Sequence, residues 1–381
     1  MLALPYLRSM FLQQIHLMDF KSWEEVEYRF SPKLNCFVGP NGSGKTNLLD
    51  AIHYLSLAKS YFSHQDQQNI REGGDFFVVE GHFVRDEEAV HIHCALKRGG
   101  KKQLRRNKKE YDRLADHIGH FPNVVISPYD RDIITEGGEV RRRFMDSVIS
   151  QGDAQYLHHL MRYQKALQQR NALLKQMGRQ GSFDRAQLSV YDHELALHAA
   201  PIMEARQAFV LALTERLQHY YRLISDGQEE AGIQYRSKLL ERPLESWLEE
   251  RLERDRLYQY TSVGSHRDDL LFLLNEKAIR QFGSQGQQKS FLIALKLAQY
   301  DFLKEKQNTI PILLLDDIFD KLDEQRVAAL VKLVHDQDFG QIFITDTHPE
   351  RTERLVKQID PEAALFSTHP NPATQVHEKT E

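Results

Sequence analysis

One stretch constrains this chain more than any other: Gly39-Pro40-Asn41-Gly42-Ser43-Gly44-Lys45-Thr46, preceded by the strand-like run 35–38 and followed by Leu48, Leu49, Ile52 and Leu55 at helical spacing. Glycines so placed let backbone N–H groups wrap a polyphosphate at a helix N-terminus, while a lysine and a hydroxyl reach the β/γ-phosphates and Mg2+. The expected unit is strand, phosphate loop, helix. ATP is its expected ligand, held by residues 39–46 and the adjoining Asn47, with Thr46 on the metal.

Composition bounds the rest. With 381 residues, 41% of them apolar, the chain folds as one large or two modest domains. Its net charge of −4 means that nucleic-acid contact must come from a local patch. Cys36 and Cys94 are too few for a disulfide scaffold and sit in no CxxC pair, which fits a reducing, cytoplasmic setting. No apolar run approaches the roughly 18–20 residues of a membrane span, so a soluble chain is expected. A strand pattern at Phe11, Gln13, Ile15 and Leu17 follows Met10, which is the expected start. Residues 1–9 and 369–381 are expected to be disordered.

Residues 76–96 alternate as a β-meander with a tight turn at Gly99-Gly100, and 124–127 is one more short strand. Then the period changes. Tyr156, Leu160, Tyr163, Leu167, Leu174 and Met177 form a helical stripe with Arg170 as a solvated break. A second stripe runs from Leu188 to Ile224 after a turn at 178–182, so the two fold back as an antiparallel pair, with Pro201 bending or restarting the second. Alternation returns over 256–274, a helix covers 290–304, and 312–317 and 342–345 are buried strands. The expected fold is α/β: a head from 10–150 and 256–368 with a mixed sheet and an antiparallel lobe, and an inserted helical arm at 151–255.

Asp316 and Asp317 close the run 312–315, where a Walker B carboxylate belongs. Asp316 would orient the metal and Asp317 would polarise the attacking water as general base. Gly283-Ser284-Gln285-Gly286-Gln287-Gln288-Lys289, about thirty residues before that strand, opens the helix that starts near Ser290 as a second anion site, and one γ-phosphate does not need two on one chain. Two sites imply two copies.

Together with Asp323 in FDKLD and His348 after IFIT, these motifs resemble an ATP-binding-cassette (ABC) ATPase. That resemblance implies an ABC-type P-loop ATPase head whose two copies sandwich two ATP molecules. Ser284, Gln285, Gly286 and Gln287 would face the partner's nucleotide, with Ser284 and Gly286 on its γ-phosphate, Asp323 at the dimer seam, and either His348 or Asp346 as switch residue. SQGQQK (284–289), GSHRDD (264–269), RRRFMD (141–146), ISPYD (126–130) and the set Tyr163, Leu167, Arg170, Asn171, Leu173, Leu174 and Lys175 narrow the resemblance to the bacterial RecF recombination-mediator family. It implies an ATP-dependent homodimer that binds duplex DNA at single-strand gaps in replication and repair, acting with RecO and RecR to help load RecA. The alternatives are a P-loop phosphotransferase, which would lack the signature loop, and an SMC-like structural ATPase, which would carry far longer heptads.

Two departures stand out. Asp317 replaces the glutamate of most cassettes, one methylene longer, so slow hydrolysis is expected, and the RecF resemblance implies that DNA stimulates it. The place of the usual Q-loop glutamine reads Ser127-Pro128-Tyr129-Asp130. The acid-free run 97–109, with Lys101, Lys102, Arg105, Arg106, Lys108 and Lys109, is the candidate DNA-backbone contact around one hairpin; the alternative is a solvated hairpin. Arg141 to Arg143 either extend it or pair with local acids. His266-Arg267-Asp268 imitates a kinase catalytic loop, but Leu273 stands where that loop needs asparagine. His91 and His93, with no carboxylate spacing nearby, read as exposed strand histidines.

Overall fold

The computed structural model describes residues 7–63, 65–225, 229–317, 339–369 and 375–377. The strands are β1 (Met10–Phe20), β2 (Trp23–Arg29), β3 (Leu34–Val38), β4 (Phe76–Arg85), β5 (Glu88–Lys97), β6 (Gln103–Arg106), β7 (Lys109–Glu110), β8 (Asn123–Ile126), β9 (Ala231–Arg236), β10 (Asp269–Leu274), β11 (Lys277–Ala278), β12 (Ile312–Leu315), β13 (Ile342–Asp346), β14 (Ala364–Ser367) and β15 (Gln375–His377). The chain divides into two compact units, 1–130 with 296–381, and 131–295.

The first unit holds two sheets. β3, β8, β12 and β13 are buried along their whole length, as parallel strands covered on both faces must be, and form the order β14-β3-β13-β12-β8. The second sheet, β15-β2-β1-β4-β5-β6-β7, is antiparallel except that β15 joins β2 in parallel. In β1 the buried residues are Met10, Leu12, Ile15, Leu17 and Phe20; a bulge between Leu12 and Gln14 shifts the alternation, so Phe11 and Gln13 leave the buried face expected from simple period-2 counting. The helix Lys45–Leu57 puts Leu48, Leu49, Ile52 and Leu55 into one core with Phe20 and Phe77 of the antiparallel sheet and Leu314 and Phe343 of the parallel one. Each such side chain contributes about 1.5–3 kcal/mol of burial.

The second unit is the arm with its base. Helices Ala154–Gln180 and Arg185–Ile224 run antiparallel, each started by an aspartate, Asp153 and Asp184, that accepts two backbone N–H bonds. At about 1.5 Å per residue they span roughly 40 and 60 Å. Gly181, at φ 62°, closes the first helix.

Several expectations change. Arg170 is fully buried rather than a solvated break: it binds Asp192 (2.6 Å), Asp255 (2.7 Å) and Thr261 (3.0 Å). Pro201 lies inside one continuous 40-residue helix and restarts nothing. The segment 256–274 is strand only in β10; Leu252–Tyr258 is helix and Ser265–Arg267 a single 3-10 turn. The unit boundaries fall at 130/131 and 295/296 rather than at 150/151 and 255/256, so 131–150 and 256–295 fold with the arm. Residues expected to be disordered include β15 and Arg8, whose backbone bonds Asn308 (3.0 Å) and Ile310 (3.2 Å). His91 and His93 do have a carboxylate, supplied by the neighbouring strand: Glu80 lies 4.0 and 2.5 Å away, and 3.8 Å from His16. Among the described residues no such group has the geometry to hold a metal.

Candidate nucleotide site

The register of the parallel sheet builds the site. Val38 is level with Asp346, and Leu315 with both Ile344 and Ile126, so the ends of β3, β12, β13 and β8 converge on one edge. That edge, beyond the carboxyl ends of the strands, is where open α/β sheets bind ligands. The phosphate loop leaves β3 there. Gly42 and Gly44 take φ of 81° and 88°, the left-handed region that glycine enters freely. A Cβ on Gly39 would stand 2.2 Å from the Thr368 carbonyl, and one on Gly44 would stand 2.9 Å from Trp23, whose indole N–H also donates to the Gly44 carbonyl (3.2 Å). Asn47 donates to Ser22 (2.8 Å), and the Ser43 and Thr368 hydroxyls meet at 2.7 Å.

Lys45 is buried and folded back over its own loop, donating to the carbonyls of Gly39 (2.7 Å) and Pro40 (3.0 Å). Thr46 donates to Asp316 at 2.8 Å. Asp316 also accepts from Thr345 (2.9 Å) and Ser127 (3.4 Å). Burial pushes its carboxyl above the usual range, while the Thr46, Thr345 and Ser127 hydroxyls and the Lys45 charge pull it back. Asp317 follows at φ 45°, its N–H bonded to the Thr345 hydroxyl (3.0 Å). A cavity of about 510 Å³ is lined by residues 41–47, Pro128, Tyr129, Asp316 and Asp317. These residues fit a nucleotide with its metal: N–H groups and a lysine for phosphate, and adjacent hydroxyl and carboxylate oxygens for a hard cation.

Thr345 joins this cluster although the motif reading passed it over, and Ser127 and Tyr129 reach it from the segment read as the place of the Q-loop glutamine. Thr345 acts through register alone, one residue beyond the Ile344–Leu315 pair. Where a Q-loop glutamine is usual, exposed Tyr129 meets the cavity, and buried Asp130 accepts from Ser127 N–H (2.8 Å), Tyr61 hydroxyl and Lys296 (2.9 Å).

Of the two switch candidates, Asp346 is fully buried and accepts from Thr347 N–H (2.8 Å), Arg351 (2.9 Å) and the Thr352 hydroxyl. His348 is exposed at the start of the helix Pro349–Ile359 and is absent from the cavity lining. Asp323 lies outside the described residues.

The helix Gln285–Gln307 begins five residues before the expected Ser290, so the signature loop is its cap. Ser284 and Gln285 are exposed, Gly286 and Gln287 half-buried. The basic run wraps two turns, not one: the first holds Gly99, and the second has Asn107 and Lys108 at φ 49° and 70° between paired Arg106 and Lys109. Lys101, Lys108 and Lys109 are exposed. Lys102 is turned inward, 10% exposed, pairing with Asp66 (2.7 Å) over the Tyr54 ring. Arg105 faces Glu110 (3.8 Å) and Arg106 is half-buried.

Arg141 pairs bidentately with Asp269 (2.7 and 3.0 Å), and Arg142 donates to the Asp268 carbonyl (2.7 Å). Arg206 joins Asp146 (2.8 Å) and Asp268 (2.7 Å), and the Asn171 side chain accepts from Thr261 N–H and hydroxyl (both 2.7 Å). Three of the motifs that set the narrower resemblance are thus the buried polar frame of the arm.

The family model described as the RecF/RecN/SMC N-terminal domain matches residues 11–363. The DNA replication and repair protein RecF of Flavobacterium johnsoniae is 49% identical over 94% of this chain and 100% of its own length. A solved structure of the recombination mediator protein RecF with ATP, of the RecFOR pathway, superposes with a TM-score of 0.87 at 29% identity, covering 98% of each chain. The Smc head domain of Pyrococcus furiosus shares the fold alone, with a TM-score of 0.54 at 17% identity over 94% of this chain and 93% of that one. A parallel sheet with its phosphate loop and Walker B pair, a helical arm framed by these motifs, and likeness over nearly the whole length lead to one conclusion: the chain has an ABC-type ATPase fold and belongs to the RecF family.

Proposed function

We propose that this chain is an ATP-gated, DNA-binding recombination mediator. Two copies close head to tail over ATP, each triphosphate meeting Ser284 and Gly286 of the other copy; closure assembles a duplex-binding surface at single-strand gaps, and hydrolysis reopens it. Lys45 exchanges its loop carbonyls for phosphate oxygens, and Thr46 and Asp316 hold Mg2+. The metal, when bound, neutralises charge on the β- and γ-oxygens. Asp317 takes the proton of the attacking water, slowly because its carboxylate is short. His348 is the switch residue, since the Asp346 carboxylate is already committed. RecO and RecR are the partners, and RecA loading the outcome.

The observation that carries this reading is the pairing, on one chain, of a triphosphate cradle with a second, serine–glycine loop at a helix N-terminus, its Ser284 exposed. The test is a DNA-binding titration with ATP, ADP and no nucleotide, with particle mass read in parallel. Mass doubling and tighter DNA binding are expected with ATP alone. A monomer in ATP and Mg2+ overturns the reading.

A further inference from the structure

Ser284 and Gln287 form a reciprocal capping box. The Gln287 N–H donates to the Ser284 hydroxyl (3.2 Å), and the Gln287 side-chain oxygen accepts the Ser284 N–H (2.7 Å). The Gln288 N–H bonds the Ser284 carbonyl (2.9 Å), so Ser284 is the N-cap itself. The free end of the Gln287 amide is not left to solvent. Its Nε2 donates to Glu229, whose other carboxylate oxygen accepts the buried Tyr221 hydroxyl at 2.7 Å.

A carboxylate only accepts, whereas an amide presents a donor at one end and an acceptor at the other. Glu229 therefore fixes which way the Gln287 amide faces: nitrogen toward the carboxylate, oxygen toward the Ser284 N–H. With both of those bonds made, one lone pair of the Ser284 oxygen takes the Gln287 N–H, and the hydroxyl proton and the second lone pair are left to point outward from the exposed Ser284. We propose that Glu229, anchored by Tyr221, is a positioning residue that sets the Gln287 amide and thereby aims the Ser284 hydroxyl at the phosphate of a second copy. This rests on the head-to-tail dimer reading.

The placement is otherwise paradoxical. A carboxylate near a loop that meets a triphosphate repels it, so simple electrostatics makes Glu229 a liability and its charge reversal an improvement. Positioning predicts the opposite. Glu229→Lys offers only donors, turns the Gln287 oxygen toward itself, and sets the amide NH2 against the Ser284 N–H. Glu229→Gln keeps an acceptor and keeps the box.

The test measures ATP-dependent dimer mass for the wild type, Glu229→Gln and Glu229→Lys, alongside monomer ATP affinity and nucleotide-free melting temperature. Dimerisation about tenfold weaker in Glu229→Lys, with Glu229→Gln close to wild type and monomer ATP affinity unchanged in both, is the expected result. Dimerisation of Glu229→Lys equal to or stronger than wild type overturns the positioning role. So does a loss of dimerisation in Glu229→Gln while its melting temperature stays unchanged. A wild type that stays monomeric in ATP overturns the dimer reading itself, a result distinct from either.

Discussion

At the scale of single residues, the backbone under Asp317 matters as much as its carboxylate. Its φ of 45° lies in the left-handed region, which aspartate and asparagine tolerate better than longer acids do. Asp317→Asn therefore keeps the backbone and loses only the base: it should retain ATP and a closed, DNA-bound dimer, and rapid phosphate release by that variant would remove Asp317 from the role. Asp317→Glu gains reach at a backbone cost of about 1 kcal/mol, to be read as a lower melting temperature. Lys45→Ala should weaken ATP binding about tenfold or more in a fluorescent-nucleotide titration, because among the described residues lining the cavity no other charge is positive. The strand-to-helix turn carrying the loop and Thr46 was legible because the spacing of a phosphate loop is local, and the place of Asp316 and Asp317 because they end the apolar run 312–315. Thr345 was not, because nothing in the chain order shows that β13 lies beside β12 with Thr345 level with Asp316.

At the scale of elements, the arm repays attention to what sequence periodicity hides. A charged residue in an apolar stripe reads as a wet gap, yet Arg170 is the buried centre of a network whose acids come from residues 192 and 255, far along the chain. Arg206 plays the same part between Asp146 and Asp268. Removing one partner of a buried pair strands the others, so Arg206→Ala should cost about 3–5 kcal/mol in denaturant melts, far more than Arg113→Ala, whose pair with Asp116 is exposed. His266 adds a pH dependence. Its Nδ1 meets the Tyr163 hydroxyl (2.8 Å) and its Nε2 the Thr261 carbonyl (2.9 Å), and burial pushes it down to about 4. The unfolded imidazole takes up a proton near 6.5. The neutral folded form thus contributes fully above that value, and its contribution is lost as pH falls from there through 4. His266→Gln should melt with a shallower pH slope over that window; an unchanged slope assigns it to another group.

At the scale of the whole molecule, the two-sheet head and the hairpin arm were legible from period and motif, whereas the unit boundaries were not. Helical stripes mark where an arm extends, but its base is built from Arg141, Asp268 and Asp269, whose pairing no periodicity reveals. For DNA binding, Lys101→Glu, Lys108→Glu and Lys109→Glu together should weaken affinity and reduce its dependence on salt, while Lys102→Glu should chiefly lower the melting temperature. An unchanged salt slope in the triple variant moves the contact elsewhere. The order of the parallel sheet also governs how the protein can be made. β12 and β13 lie more than 270 residues after β3, while 131–295 is one uninterrupted segment. A ribosome therefore releases everything the arm needs before it releases the strands that carry Asp316 and Thr345. The nascent chain can fold its arm first, and it gains a competent nucleotide cradle only after β12 and β13 have emerged.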